Sequence, residues 1–201
     1  MKLFWLPIIK RNLLKIKKWL KNFVLGQIKL TDNSDNDEQY HTFSVLVENE
    51  AGVLARVIGL LSGRGYNIES LTVAEVDKDE HFSKITLVSS GTEMVLEQIR
   101  TQLERLVPVR AVADLTVDGP SVERELALIK VAGGDKVRAQ CLEIADTFQA
   151  NVIDSTPESC VFEVVESTEK MDAFINLMKP LGLVDVSRSG VVAISRGSEP
   201  I

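Results

Sequence analysis

The sequence has little of what most catalytic sites are built from. Of its 201 residues only two are histidine and two are cysteine, and no HExxH, GxSxG or GxxxxGK[ST] string occurs. Cys141 and Cys160 stand 19 positions apart without a CxxC or HxH companion. That spacing indicates neither a disulfide framework nor a zinc site, and it points to a reducing, cytoplasmic setting. Long apolar runs are missing too. Within the first thirty residues no uncharged stretch exceeds seven residues, and the first of that length, Leu3 to Ile9, contains Pro7, so a transmembrane helix and a cleaved signal peptide both fit badly. Acidic residues are absent from one region: none precedes Asp32, while Lys2, Lys10, Arg11, Lys15, Lys17, Lys18, Lys21 and Lys29 supply +8. The whole chain carries −6, so the remainder holds 15 basic against 29 acidic residues, or −14. A body that acidic repels phosphate backbones, which counts against nucleic acid as a partner.

What is present is apolar material, 45% of residues, in a length that suits one large domain or two small ones. Met1 to Thr31 differs from the rest. At about 100° per residue Ile9, Leu13, Ile16, Trp19, Leu20, Phe23 and Val24 share one arc and the lysines another, with Leu14 the large exception. The pattern predicts a basic amphipathic helix, suited to contact with an anionic membrane surface or an acidic partner. An extension without such a role is the alternative. The polar, acidic stretch Thr31 to Gln39 reads as a linker, so residues 1–39 form a basic amphipathic extension and an acidic linker.

From Tyr40 a pattern runs twice. Phe43, Val45 and Val47 alternate with Thr42, Ser44 and Leu46 as a strand. Val53, Leu54, Val57, Ile58, Leu60 and Leu61 follow at helical spacing, and Gly63 and Gly65 can close that helix with positive φ. Two strands, about Asn67 to Val76 and Phe82 to Ser89, flank the charged turn DKDEH. Val95, Ile99, Leu103 and Leu106 mark a second helix that Pro108 stops, and Val109 to Val117 supplies a fourth strand. After the turn DGPS the order returns. Leu126 to Val131 forms an apolar strand, and Val137, Cys141, Ile144 and Phe148 line a helix. Asn151 to Ser155 and Ser159 to Val165 make a hairpin, Met171, Phe174 and Met178 mark another helix, and Val184 to Ile194 closes the unit. The fold class is therefore α+β, two ferredoxin-like βαββαβ domains over 40–117 and 118–201.

The sharpest local signal is ENEAGVLARVIGLLSGRGYNIESL, Glu48 to Leu71. Asn49 ends the first strand, Gly52 permits close backbone approach, and the amides of Gly52 and Val53 lie near a helix N-terminus, where a carboxylate is stabilised by N–H groups and the helix dipole. Asn49 both donates and accepts, as an amino-acid ligand requires. Simple capping by Asn and a tight Gly turn would leave the same residues.

The longer string resembles the regulatory small subunit of acetolactate synthase, also called acetohydroxyacid synthase, whose first domain is an ACT domain. The resemblance runs from about His41 to Gly197 and includes VLVENEAGVLARVIGLLSGRGYNIESLTV, LEQI with QLERLV, VERELALIKV, DAFI and RSGVVAISRG. It implies a non-catalytic partner that raises the activity of a separate catalytic subunit and makes it sensitive to a branched-chain amino acid, typically valine. The thiamine diphosphate, Mg and FAD of the reaction are expected in that partner, and no cofactor or metal in this chain. The resemblance further implies a homodimer through side-by-side ACT domains. The effector is expected at the interface, touched by Asn49, Gly52 and Val53 of one chain and by Asn67 and Ile68 of the other. The last two look by themselves like the start of an ordinary strand. The second domain is expected to engage the catalytic subunit.

Other residues read more plainly. His41 and His81 fall near strand ends as surface or edge histidines. Glu123, Arg124, Glu125, Arg188 and Arg196 read as a solvated face, with a partner-binding surface as the alternative. An enzyme of phosphoryl or acyl-phosphate chemistry would need a positioned general base or phosphate-binding arginines next to a nucleophile, and no such constellation is visible. An RNA-recognition domain would need stacking aromatics on its central strands, where Phe82 stands almost alone and aromatics total 5%. An ACT-type amino-acid sensor for a different enzyme is the remaining alternative.

Overall fold

A computed structural model of the chain describes residues 38–77 and 79–198. The predicted N-terminal helix lies outside the described residues. The described part belongs to one compact unit made of two similar halves. The first contains β1 (Gln39–Glu48), α1 (Val53–Gly63), β2 (Ser70–Asp77), β3 (Phe82–Gly91), α2 (Glu93–Glu104) and β4 (Val109–Asp114). The second contains β5 (Ser121–Ala132), α3 (Asp135–Thr147), β6 (Asn151–Ser155), β7 (Ser159–Glu166), α4 (Thr168–Met178) and β8 (Leu183–Ser195), with a short 3-10 turn at Lys179–Leu181. The strands form two antiparallel four-stranded sheets, ordered β2-β3-β1-β4 and β6-β7-β5-β8. The βαββαβ order read from the periodicities is the order observed.

Each sheet buries one face under its two helices. In the first half Phe43, Val45 and Val47 of β1 lie opposite Leu87, Ile85 and Ser83 of β3. They pack with Val53, Val57 and Leu61 of α1 and Leu96, Ile99 and Leu103 of α2. Leu61, Ile85, Leu87, Leu96, Ile99 and Leu103 are fully buried, each stabilising the fold by about 1.5–3 kcal/mol. In the second half Ala127, Ile129 and Val131 meet Cys141, Phe162, Val164, Met171, Phe174 and Met178. Phe174 sits edge-on to both Phe148 and Phe162, with ring centroids 5.3 and 6.2 Å away, the arrangement aromatic quadrupoles favour. Cys141 is a core residue and Cys160 a strand residue, as the periodicities of the surrounding residues predicted.

Several expected boundaries move. Gln39 already belongs to β1, so the linker ends before it. Of the two glycines after α1 only Gly65 has positive φ, +74°; Gly63 is still helical. β2 begins at Ser70 rather than Asn67, because the Asn67 carbonyl accepts the Ser89 hydroxyl and the chain enters the ladder only at Ser70 opposite Val88. α2 ends at Glu104, leaving Leu106 in the following turn. β4 ends at Asp114 instead of running to Val117: the Asp114 carboxylate accepts the Thr116 amide at 3.0 Å and folds the chain into a turn.

Candidate functional site

α1 opens on Gly52, which caps it in the left-handed conformation, φ +85° and ψ 1°. No side chain caps this helix, so capping does not explain Asn49. Its amide nitrogen Nδ2 instead donates to Glu75 Oε1 on β2 at 3.1 Å, while its backbone N–H donates to the His81 carbonyl at 2.6 Å. Among the described residues Oδ1 of Asn49 meets no donor, and a carboxylate stands beside its amide. The Val53 amide is already engaged by the Glu50 carbonyl at 3.2 Å, and its side chain is buried in the core. Gly52 is exposed, with open space where a side chain would project. A hydrogen-bonding amide, an exposed glycine at a helix start and an acidic group therefore converge at one end of β2. Glu75 was not singled out in the sequence, since a charged residue in an alternating strand carries no signal of its own.

Asn67 and Ile68 occupy the other end. The Asn67 side chain donates to Glu69 Oε1, which also accepts from Ser90 Oγ at 2.9 Å, and Ile68 packs partly buried against the first core. From Ser70 to Glu75 an extended strand covers about 17 Å, farther than one amino acid reaches. Within a single chain the five candidate residues thus form two clusters at opposite ends of β2. That strand lies at the edge of its sheet.

Other candidates resolve differently. His41 is buried, not a surface histidine: its Nδ1 is 2.6 Å from Asp114 Oδ2, a hydrogen-bonded pair between the start of β1 and the end of β4. His81 is exposed at the β2–β3 turn, with φ +56°. Glu125 and Arg188 are not a solvated face. Glu125 is buried, and Arg188 clamps its carboxylate with Nε at 2.8 Å and Nη2 at 2.5 Å while Nη1 reaches Asp172 at 2.7 Å. The hydrogen bonds that the guanidinium donates to Glu125, opposed by burial and helped by Asp172, raise its pKa. Arg188 and Glu125 border a cleft of about 1020 Å³ between the halves, which Asn49, Gly52 and Val53 do not line. Among the described residues no group of three His, Cys, Asp or Glu side chains is arranged to hold a metal ion, and no helix is long and apolar enough to cross a membrane.

The halves match two family models. Residues 43–111 match the AHAS small subunit-like ACT domain and residues 124–197 the small subunit of acetolactate synthase. The chain belongs to the acetolactate synthase small-subunit family. It is 42% identical to the probable acetolactate synthase small subunit of Archaeoglobus fulgidus over 159 residues, covering 79% of this chain and 98% of that protein. Identity to the isozyme 3 small subunit of Salmonella typhimurium is 45% over 157 residues, 78% and 95% of the respective chains. The crystal structure of the small subunit from Thermotoga maritima superposes with a TM-score of 0.72 at 33% identity, covering 80% of this chain and 99% of that one. As a small subunit this chain is regulatory, catalysis residing in the large subunit with which it associates, and it serves branched-chain amino acid biosynthesis. The alternative of a sensor for a different enzyme is set aside by this membership. The first half is an ACT domain.

Proposed function

We propose that this acetolactate synthase small subunit activates its catalytic partner and confers feedback inhibition by a branched-chain amino acid, typically valine, bound between the ACT domains of two copies. Asn49, Gly52 and Val53 of one copy and Asn67 and Ile68 of the other contact the effector. The observation that carries this reading is the arrangement along β2. Its two residue clusters are too far apart to share a ligand in one chain, and among the described residues no strand pairs with its outer edge. Antiparallel pairing of that edge with the same edge of a second copy about a two-fold axis sets the start of one β2 against the end of the other. The exposed side chains of Val73, Ala74 and Val76 on β2 suit a covered edge better than a solvated one. At such a joint the Gly52 amide and the helix start meet the effector carboxylate, and Asn49 Oδ1 with Glu75 meets its ammonium. A ligand bridging two protomers biases their packing when it binds one packing better.

The second half, 118–201, engages the large subunit. Leu126, Leu128 and Val165 support this: they share the sheet face opposite α3 and α4 and remain 38%, 39% and 50% exposed, the kind of apolar patch a protein partner covers. Thiamine diphosphate, Mg and FAD belong in this reading to the large subunit. The pairing takes place in the cytoplasm, where the free thiols Cys141 and Cys160 stay reduced. The experiment is acetolactate formation by the cognate large subunit alone, with this chain, and with this chain plus valine. Activation that valine reverses is expected; activation indifferent to valine, isoleucine and leucine would overturn the effector assignment.

A further inference from the structure

β8, an edge strand of the second sheet, runs across the face of the first sheet opposite its helices and meets β2 there, leaving the outer edge of β2 clear of it. Their junction is made by side chains. Ser70 Oγ accepts the Val191 backbone N–H at 2.8 Å, and Thr72 Oγ1 donates to the Val191 carbonyl at 2.9 Å. Both main-chain groups of one β8 residue are thus held by two hydroxyls spaced two apart, which strand alternation puts on one face of β2. Val191 is buried, so without these partners its N–H and C=O would be desolvated and unsatisfied. The approach depends on Gly190. It lies at φ +83°, where β8 shifts register against β5, and a Cβ there would stand 2.7 Å from Ser70 Oγ and 3.1 Å from Thr72 Cγ2.

The place of this clasp gives it meaning. Asn67 and Ile68 lie just before Ser70, and Glu75, the partner of Asn49, lies just after Thr72. We infer that Ser70 and Thr72 are positioning residues that couple the amino-acid site on β2, through Val191, to the C-terminal half and hence to the catalytic subunit. The inference rests on the effector site proposed above. Hydrogen bonds weaken steeply with distance and angle, so β2 cannot shift along β8 without losing both bonds or carrying Val191 with it. The clasp ties the strand that meets the effector to the last strand of the half that meets the enzyme.

The test uses the complex of the large subunit with this chain carrying Thr72→Val, Ser70→Ala or Thr72→Ser. Valine binding to the small subunit is measured by calorimetry, and inhibition by acetolactate formation. Thr72→Val keeps the side-chain shape and removes the donor. Expected is a valine Kd within about twofold of the unmodified chain with activation retained, while the valine concentration for half-inhibition rises at least about fivefold. Ser70→Ala should act alike, and Thr72→Ser should restore the unmodified response. Unchanged inhibition in Thr72→Val and Ser70→Ala, a loss that merely follows Kd, or failure of serine to restore it would overturn the coupling role. An unmodified chain that binds no valine would instead overturn the effector site itself.

Discussion

Arg188→Met removes the counter-charge of a buried carboxylate while keeping an unbranched apolar stem. Arg188 meets both oxygens of Glu125, whose side chain is 4% exposed, whereas its own side chain is 34% exposed. Breaking a fully buried pair costs about 3–5 kcal/mol because the remaining charge is stranded. Since a third of the Arg188 side chain already meets solvent, water can enter the vacated side and screening lowers the cost, so the low end, about 3 kcal/mol, applies. The bond to half-exposed Asp172 adds little. For a compact unit of this size that is a fall in Tm of roughly 6–12 °C, read by calorimetry. Glu125→Gln in the same chain should recover much of the loss, because the stranded charge is gone. A deficit below about 0.5 kcal/mol, or one indifferent to Glu125→Gln, would refute the reasoning.

Asn49→Ala should abolish valine sensitivity while leaving activation largely intact, since it removes an exposed amide and no core volume; Gly52→Asp should do the same by setting a carboxylate against that of the effector, with inhibition curves of the complex as the measurement. Cys160 should alkylate faster than Cys141, and from lower pH. Although burial raises the Cys160 thiol pKa, hydrogen bonds from Ser155 and Arg138 outweigh it and bring the pKa below the ordinary value, whereas burial raises that of Cys141. Arg138→Ala should slow labelling of Cys160 in a mass-spectrometric time course. Gly182→Ala should destabilise the second half by more than about 1 kcal/mol in chemical denaturation, because Gly182 lies at φ +95° and a Cβ would come within 2.3 Å of the Ala132 carbonyl oxygen.

Much of the fold was legible because the two periods are written plainly. Phe43, Val45 and Val47 alternate, Val53, Val57 and Leu61 recur at helical spacing, and Met171, Phe174 and Met178 do so again; each set is buried where its period required. Boundaries set by side-chain-to-backbone bonds were not legible. β4 stops at Asp114 because its carboxylate captures the Thr116 amide, and β2 starts at Ser70 because the Ser89 hydroxyl captures the Asn67 carbonyl, bonds that apolar periodicity does not encode. Long-range pairing hid the rest. His41 and Asp114 are 73 positions apart, and Glu125 and Arg188 are 63 apart, so each looked like an isolated polar residue near a strand end. At the candidate site, Gly52 and Asn49 were visible from local turn and helix-start chemistry. Asn67 and Ile68 came only through family resemblance, since their proposed contact is with another chain. Glu75 was missed because its meaning lies in its bond to Asn49.

The most direct test of the shared effector site mixes two defective chains. Asn49→Ala and Asn67→Ala variants, each unable to bind valine alone, are unfolded together, refolded as a mixture and titrated with valine by calorimetry. In a mixed dimer the Asn67→Ala chain contributes Asn49 and the Asn49→Ala chain contributes Asn67, so one intact site re-forms. The account predicts that the mixture regains valine binding at near the unmodified affinity, at up to one site per mixed dimer. A mixture as inert as its two components would contradict a site built from two chains.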